Sequence, residues 1–229
     1  MSSFTKGGAP CLSAKPSTPP RGTSAETALG LSTVYEVLCE ALINVPSASI
    51  VGDVRQVARL FGTDAFEGIG ASAQLEQRFY DRFFIPISPV FVPLSESRIE
   101  GCHIIGGKRS FGPAATEASR HVEALCGQTG FDFRALEGFD SAVQRLSSDS
   151  LAAELAFLAF LRMRFATGSC AYERFAAVLL DRHTAWVEKA ASVMEGQDDD
   201  FYASLVRLAA QILAADRETA IAAHAGCRT

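Results

Sequence analysis

Along the first third of the chain, Leu31, Val34, Leu38, Leu42 and Val45 recur at steps of three and four. That spacing puts them on one face of an α-helix, and Pro46 marks its end. Thr23–Ser24–Ala25–Glu26 ahead of it has the form of a capping box, in which a hydroxyl and a carboxylate satisfy exposed amides at a helix start. The same reading predicts a shorter helix from about Asp53 to Phe61, ended near Gly62, and a third over roughly Ala71–Phe84. Beyond residue 112, Pro113 suits a helical first turn and a helix follows over Ala114–Cys126. LAAELAFLAFLRMRF, Leu151–Phe165, is apolar on nearly every side, the mark of a helix at the centre of a bundle, and Gly168 closes it. Tyr172, Phe175, Leu179, Trp186, Ala190 and Val193 then predict one continuous helical face ended at Gly196. Asp198, Asp199 and Asp200 open a last helix with Phe201, Leu205, Leu208 and Ile212 inward, where the macrodipole favours acids. Only SASIV and GCHIIGG carry any β character.

The pattern therefore predicts an all-α fold, a helical bundle over residues 23–229 in two halves, 23–85 and 113–229. Between them lies a proline-rich crossover, 86–112; periodicity accommodates one domain or two. Its approach, FYDRFFIPISPVFVPLSES (residues 79–97), holds five of the chain's 21 aromatics and three of its nine prolines. Proline stiffens such a segment and removes amide donors, so aromatic side chains can line a cleft at small entropic cost. The alternative is that Phe83, Phe84 and Phe91 are core residues pinning the crossover, while Tyr80 and Ser97 keep polar atoms toward the surface.

Composition narrows the function. Mean hydropathy is +0.15 and 48% of residues are hydrophobic, yet no uninterrupted apolar run reaches membrane-spanning length. A net charge of −5 without a dense Lys/Arg stripe argues against nucleic acid as a partner. Residues 1–22 are rich in Pro, Ser, Thr and Gly, carry Lys6, Lys15 and Arg21 but no acid, and lack the apolar core of a secretory signal; they read as a disordered tail. The six cysteines are scattered without a CxxC pair, so free thiols in a cytoplasmic protein are expected.

Catalytic and metal motifs are absent. The four histidines (103, 121, 183 and 224) form no HExxH or similar ligand spacing, IIGGKRSFG lacks the Lys–Ser/Thr and helix of a phosphate cradle, and GxSxG is missing. No cofactor is expected. His183 falls at the edge of an inward stripe, as a boundary histidine would. Glu154 inside LAAELAFLAFL must be paired, hydrogen-bonded or facing a wet cleft. Arg162 or Arg164 is one expected partner, a binding role the other.

The order of several motifs resembles the TorD/DmsD/NarJ family of redox-enzyme maturation chaperones. Tyr80–x–x–Phe83–Phe84, then prolines, then Val92–Pro93–Leu94–Ser95–Glu96–Ser97 is similar to its linker. Asp149–Ser150 followed by Glu154–Leu155–Ala156–Phe157 is similar to its Asp-His and Glu-Leu-x-Phe helix. Phe175, Leu179, Leu180, His183 and Trp186, and the helix from Phe201 to Leu213, match two later patterns, so the resemblance spans residues 30–216. Ser150 stands where the family has His and Ser95 where it has Tyr or Trp, which implies a different partner or weaker binding. The resemblance implies a cytoplasmic all-α chaperone, monomer or half-exchanging homodimer. Its client would be a molybdopterin oxidoreductase catalytic subunit, held by its twin-arginine signal peptide during cofactor insertion. It implies peptide-binding residues at Tyr80, Phe84, Pro93, Glu96, Ser97, Asp149, Ser150, Glu154 and His183, with Asp149 and Glu96 meeting arginines. A helical adaptor that ignores the leader, and a small helical nucleotide-binding enzyme, are the rival readings.

Overall fold

The computed structural model describes residues 24–106 and 108–226, with side chains as far as Ala220. The expected tail and the capping role of Thr23 lie outside the described residues. Within them the fold is all-α. Ten helices run in the order α1 (Ala25–Ile43), α2 (Ala48–Leu60), α3 (Ala73–Phe83), α4 (Glu96–Glu100), α5 (Glu117–Thr129), α6 (Asp140–Val143), α7 (Leu151–Ala166), α8 (Ala171–His183), α9 (Trp186–Glu195) and α10 (Phe201–Gly226). Between α4 and α5, β1 (His103–Ile105) pairs antiparallel with β2 (Lys108–Ser110), with His103 opposite Ser110. His103–Ile105 within GCHIIGG thus forms a strand, paired with the residues that follow, whereas SASIV does not form a strand. Ser47 accepts from the Ile50 amide and starts α2 five residues earlier than periodicity suggests. Among the described residues, no helix is long and apolar enough to cross a membrane.

α7 is the axis. Every residue from Leu151 to Ala159 is buried, and its most extensive contact is with α1; α8 covers another side. Since α1 precedes the crossover and α7 follows it, one hydrophobic core runs through both halves. Polar ties lock this centre. Ser32 on α1 donates to the Ala159 carbonyl at 2.9 Å. Asp216 on α10 accepts from the Tyr35 hydroxyl at 2.7 Å and from Arg162 at 2.5 Å, all three groups being buried. Arg162 is therefore spent on Asp216 and not on Glu154.

The crossover is tied down by Arg82, which is fully buried at the end of α3. Its guanidinium donates to Asp200 Oδ2 (2.9 Å), Gln197 Oε1 (2.9 Å) and the carbonyls of Val90 and Asp198 (3.1 and 2.5 Å). The proline segment is thereby fastened to the start of α10. Past α4, Gly101 and Gly112 touch backbone to backbone: a Cβ on Gly112 would lie 2.5 Å from the Ser97 carbonyl. The hairpin can fold back against α4 only because both positions are glycine.

Two local readings change. Pro113 does not open a helix; α5 begins at Glu117, where Thr116 and Ser119 form the capping box. The single helix expected over 172–196 is two, broken at Thr184, whose hydroxyl turns back to the Leu180 carbonyl at 2.7 Å. The apolar repeat continues across this break, so periodicity does not register it. Its effect is to set Trp186 at the head of α9, pointing inward.

Candidate functional site

The sequence-chosen residues fall into two groups. Tyr80, Phe84 and Pro93 are half-buried along the crossover. Phe79, Tyr80, Phe83 and Phe84 pack edge-on or tilted against one another and against Phe139 and Tyr202, so most of their ring surface belongs to the core. Tyr80 donates to Glu76 on its own helix at 3.3 Å, and the Pro93 carbonyl accepts from Ser95. Ser150 caps α7, accepting from the Ala153 amide at 3.4 Å and donating to the Ser147 carbonyl at 2.8 Å. Phe84 and Ser150 also line a hollow of about 100 Å³ with Phe83, Leu94, Ala142 and Arg145.

The second group is a polar cluster inside the protein. Asp149 is fully buried, and its Oδ2 accepts from the Ser97 amide (3.0 Å) and hydroxyl (2.5 Å). It serves as a cap for α4 supplied from the α6–α7 connection. The Ser97 proton being used, the Thr116 hydroxyl donates to Ser97 at 2.7 Å while accepting from the Ala118 amide. Next to it, Glu96 Oε2 lies 2.8 Å from His183 Nδ1, and His183 Nε2 lies 2.7 Å from His121 Nδ1. A carboxylate only accepts, so His183 carries its proton on Nδ1 and accepts from His121 Nδ1–H at the other nitrogen. Burial first, and then His183 and Arg182, lower the His121 pKa below its ordinary 6.5, which keeps that ring neutral in the relay. Asp149 and Glu96, expected to meet a leader's arginines, are thus already engaged within the fold.

Glu154 sits 1% exposed beside them, with Trp186 Nε1–H donating to its Oε2 at 3.1 Å. Burial, with a push from Glu96 and a smaller one from Asp149, holds its carboxyl well above the ordinary 4.5; only the Trp186 bond pulls the other way. Among the described residues, Glu154 Oε1 and Asp149 Oδ1 have no hydrogen-bond partner. Among the described residues no lysine or arginine forms an ion pair with Glu96, Asp149 or Glu154, and one ligand atom each from Glu96, Glu154 and His183 lies within 4.8 Å of the other two. Sequence spacing could not reveal the convergence, because α4, α7 and α8 each supply one residue.

Sequence reasoning also missed a groove. Between α1 and α7 an open depression of about 350 Å³ has an apolar floor that includes Ile43, Leu136, Ala156, Ala159, Phe160 and Met163. Three exposed carboxylates, Glu36, Glu40 and Glu137, line it as well, and among the described residues none is in an ion pair. The groove exists because α7 offers alanines there: Ala156 and Ala159 line it, Ala152 on the same face lines the hollow beside Phe84, and small side chains leave space against α1. Ile43 lines both this groove and the Phe84 hollow, so the two meet at one residue. Over it the Leu136–Phe139 connection is fixed by the Phe139 amide on the Ile43 carbonyl at 3.0 Å. Glu36 and Glu40 one turn apart on an exposed face, and alanines spaced four and three apart inside LAAELAFLAF, are the signals that could have located it.

Comparison with models of protein families, with curated proteins and with solved structures finds no match to this chain. The resemblance to the TorD/DmsD/NarJ chaperones accordingly rests on the motifs quoted above.

Proposed function

We propose that the protein is a leader-holding chaperone of the TorD/DmsD/NarJ type. It would bind the twin-arginine signal peptide of a molybdopterin oxidoreductase subunit until cofactor loading is complete. The observation that carries this reading is the α1–α7 groove, an apolar trough along which stand three glutamates that form no ion pair among the described residues. A twin-arginine leader has the complementary make-up, two guanidinium groups followed by an apolar stretch. Its arginines would meet Glu36, Glu40 and Glu137, and its apolar part would run past Ile43 toward Phe84. Burying about 400 Å² of apolar leader is worth about 10 kcal/mol at about 25 cal/mol/Å². Association costs offset much of that, which leaves micromolar holding suited to capture and release.

The test is titration of the full chain with a fluorescent peptide bearing two arginines before an apolar run. Micromolar affinity is expected, with at least a tenfold loss on Glu36→Gln/Glu40→Gln/Glu137→Gln and a comparable loss on Met163→Glu. An unchanged affinity in both variants, or none in the parent, removes the groove from the account. Pull-down of a client with and without its leader separates this role from an adaptor that grips the folded subunit.

A further inference from the structure

With the leader in the α1–α7 groove, as proposed above, the buried polar cluster is left unused, and the chemistry of that cluster is that of a ligand set. We propose that Glu96, Glu154 and His183 form a binding site for one divalent first-row transition cation. Three features carry the inference. Two carboxylates and an imidazole from three different helices present ligand atoms within 4.8 Å of one another, and among the described residues no lysine or arginine forms an ion pair with them. Glu154, 99% hidden from solvent, has one carboxyl oxygen held by Trp186 and the other without a partner among the described residues. An oxygen so placed lacks the donor or cation that buried acceptors ordinarily find. Finally, an outer shell is already in place, since Trp186 orients Glu154 and His121 receives the far nitrogen of His183.

Nitrogen and oxygen ligands to Zn²⁺ lie at about 2.0–2.2 Å, which requires ligand atoms roughly 3.5 Å apart in a tetrahedral site. Binding therefore requires side-chain rotations that contract the present triangle. On binding, the cation takes His183 Nδ1, the ring proton moves to Nε2 and is donated to His121 Nδ1, and the His121 proton moves to its own Nε2. A proton held by the Glu154 carboxyl is released to water as the cation binds; each imidazole keeps one proton, and the two carboxylates then balance the charge. Glu96, partly exposed, and His121, half-buried, form the side facing water by which a cation reaches the cluster.

The test uses tag-free full-length protein stripped with EDTA and titrated with ZnCl₂, read by calorimetry and thermal unfolding. One equivalent should bind and raise the Tm, and Co²⁺ in its place should give visible d–d bands without a thiolate charge-transfer band. Glu154→Gln, which preserves the Trp186 acceptor, and Glu96→Gln should each weaken binding on the order of 100-fold, and His121→Gln about tenfold. His103→Asn and Cys170→Ser should change nothing. Should Glu154→Gln fail to fold, the partly exposed Glu96→Gln gives the same reading. The proposal is overturned by no uptake at 100-fold excess Zn²⁺, by affinity retained in Glu96→Gln, or by thiolate ligation.

Discussion

At the scale of single residues, the centre of the molecule depends on Asp216, which is the acceptor for both Tyr35 and Arg162. Asp216→Ala would strand a buried guanidinium, and a loss of about 3–5 kcal/mol in urea unfolding is expected. Tyr35→Phe removes one neutral donor and should cost only about 1–2 kcal/mol, provided the Arg162 bond persists. The thiols make a second case. Burial pushes Cys39 and Cys126 up to about 12, whereas Cys170 is exposed. At pH 8, iodoacetamide should therefore label Cys170 in the native protein and reach Cys39 and Cys126 only after denaturation. A thiol whose folded pKa exceeds its unfolded value of 9.0 keeps its proton in the native state while the unfolded chain releases it. Stability should fall as pH rises from about 9 toward 12, and Cys39→Ala should flatten that decline. What the chain made legible at this scale was need rather than partner. Glu154 visibly required company, but Arg162 lies eight residues along the same helix, about 12 Å away by rise, and Trp186 took the role because a helix break aims it there.

Among the elements, α1 and α7 were readable because their apolar spacing and their stops agree; Gly62 and Gly168, anticipated as the stops of α2 and α7, take φ of 73° and 103°. Where two local signals competed, the wrong one was easy to choose. Pro113 looked like a helix opening, but the reciprocal Thr116–Ser119 cap fixes α5 three residues further on. The α8–α9 break carries neither glycine nor proline, so nothing in the pattern announces it. The crossover was recognisable from its prolines, yet its anchor was not, since Arg82 meets residues more than a hundred positions later. Arg82→Lys should expose the segment 85–93 to proteolysis and hydrogen exchange, because one ammonium cannot reach four acceptors in that planar arrangement. Gly112→Ala should push the hairpin off α4, visible as faster exchange over residues 96–112; unchanged protection there would mean that the glycine contact is incidental.

For the whole molecule, the all-α class followed from the pattern alone, whereas the groove did not, because a depression is made by what two helices lack where they face each other. The candidate residues were placed by resemblance, and the fold divides them between an aromatic layer and an enclosed ionic cluster. α7 stands between two compartments. Ala156 and Ala159 face the open trough and Ala152 the hollow beside Phe84, while Glu154, roughly half a turn around the same helix, faces the cluster. A partition shared in this way makes the compartments thermodynamically reciprocal: if cation occupancy shifts α7, the change it makes in peptide affinity must equal the change peptide makes in cation affinity. One rigid wall would then let loading inside the protein be sensed by whatever rests against its outer side.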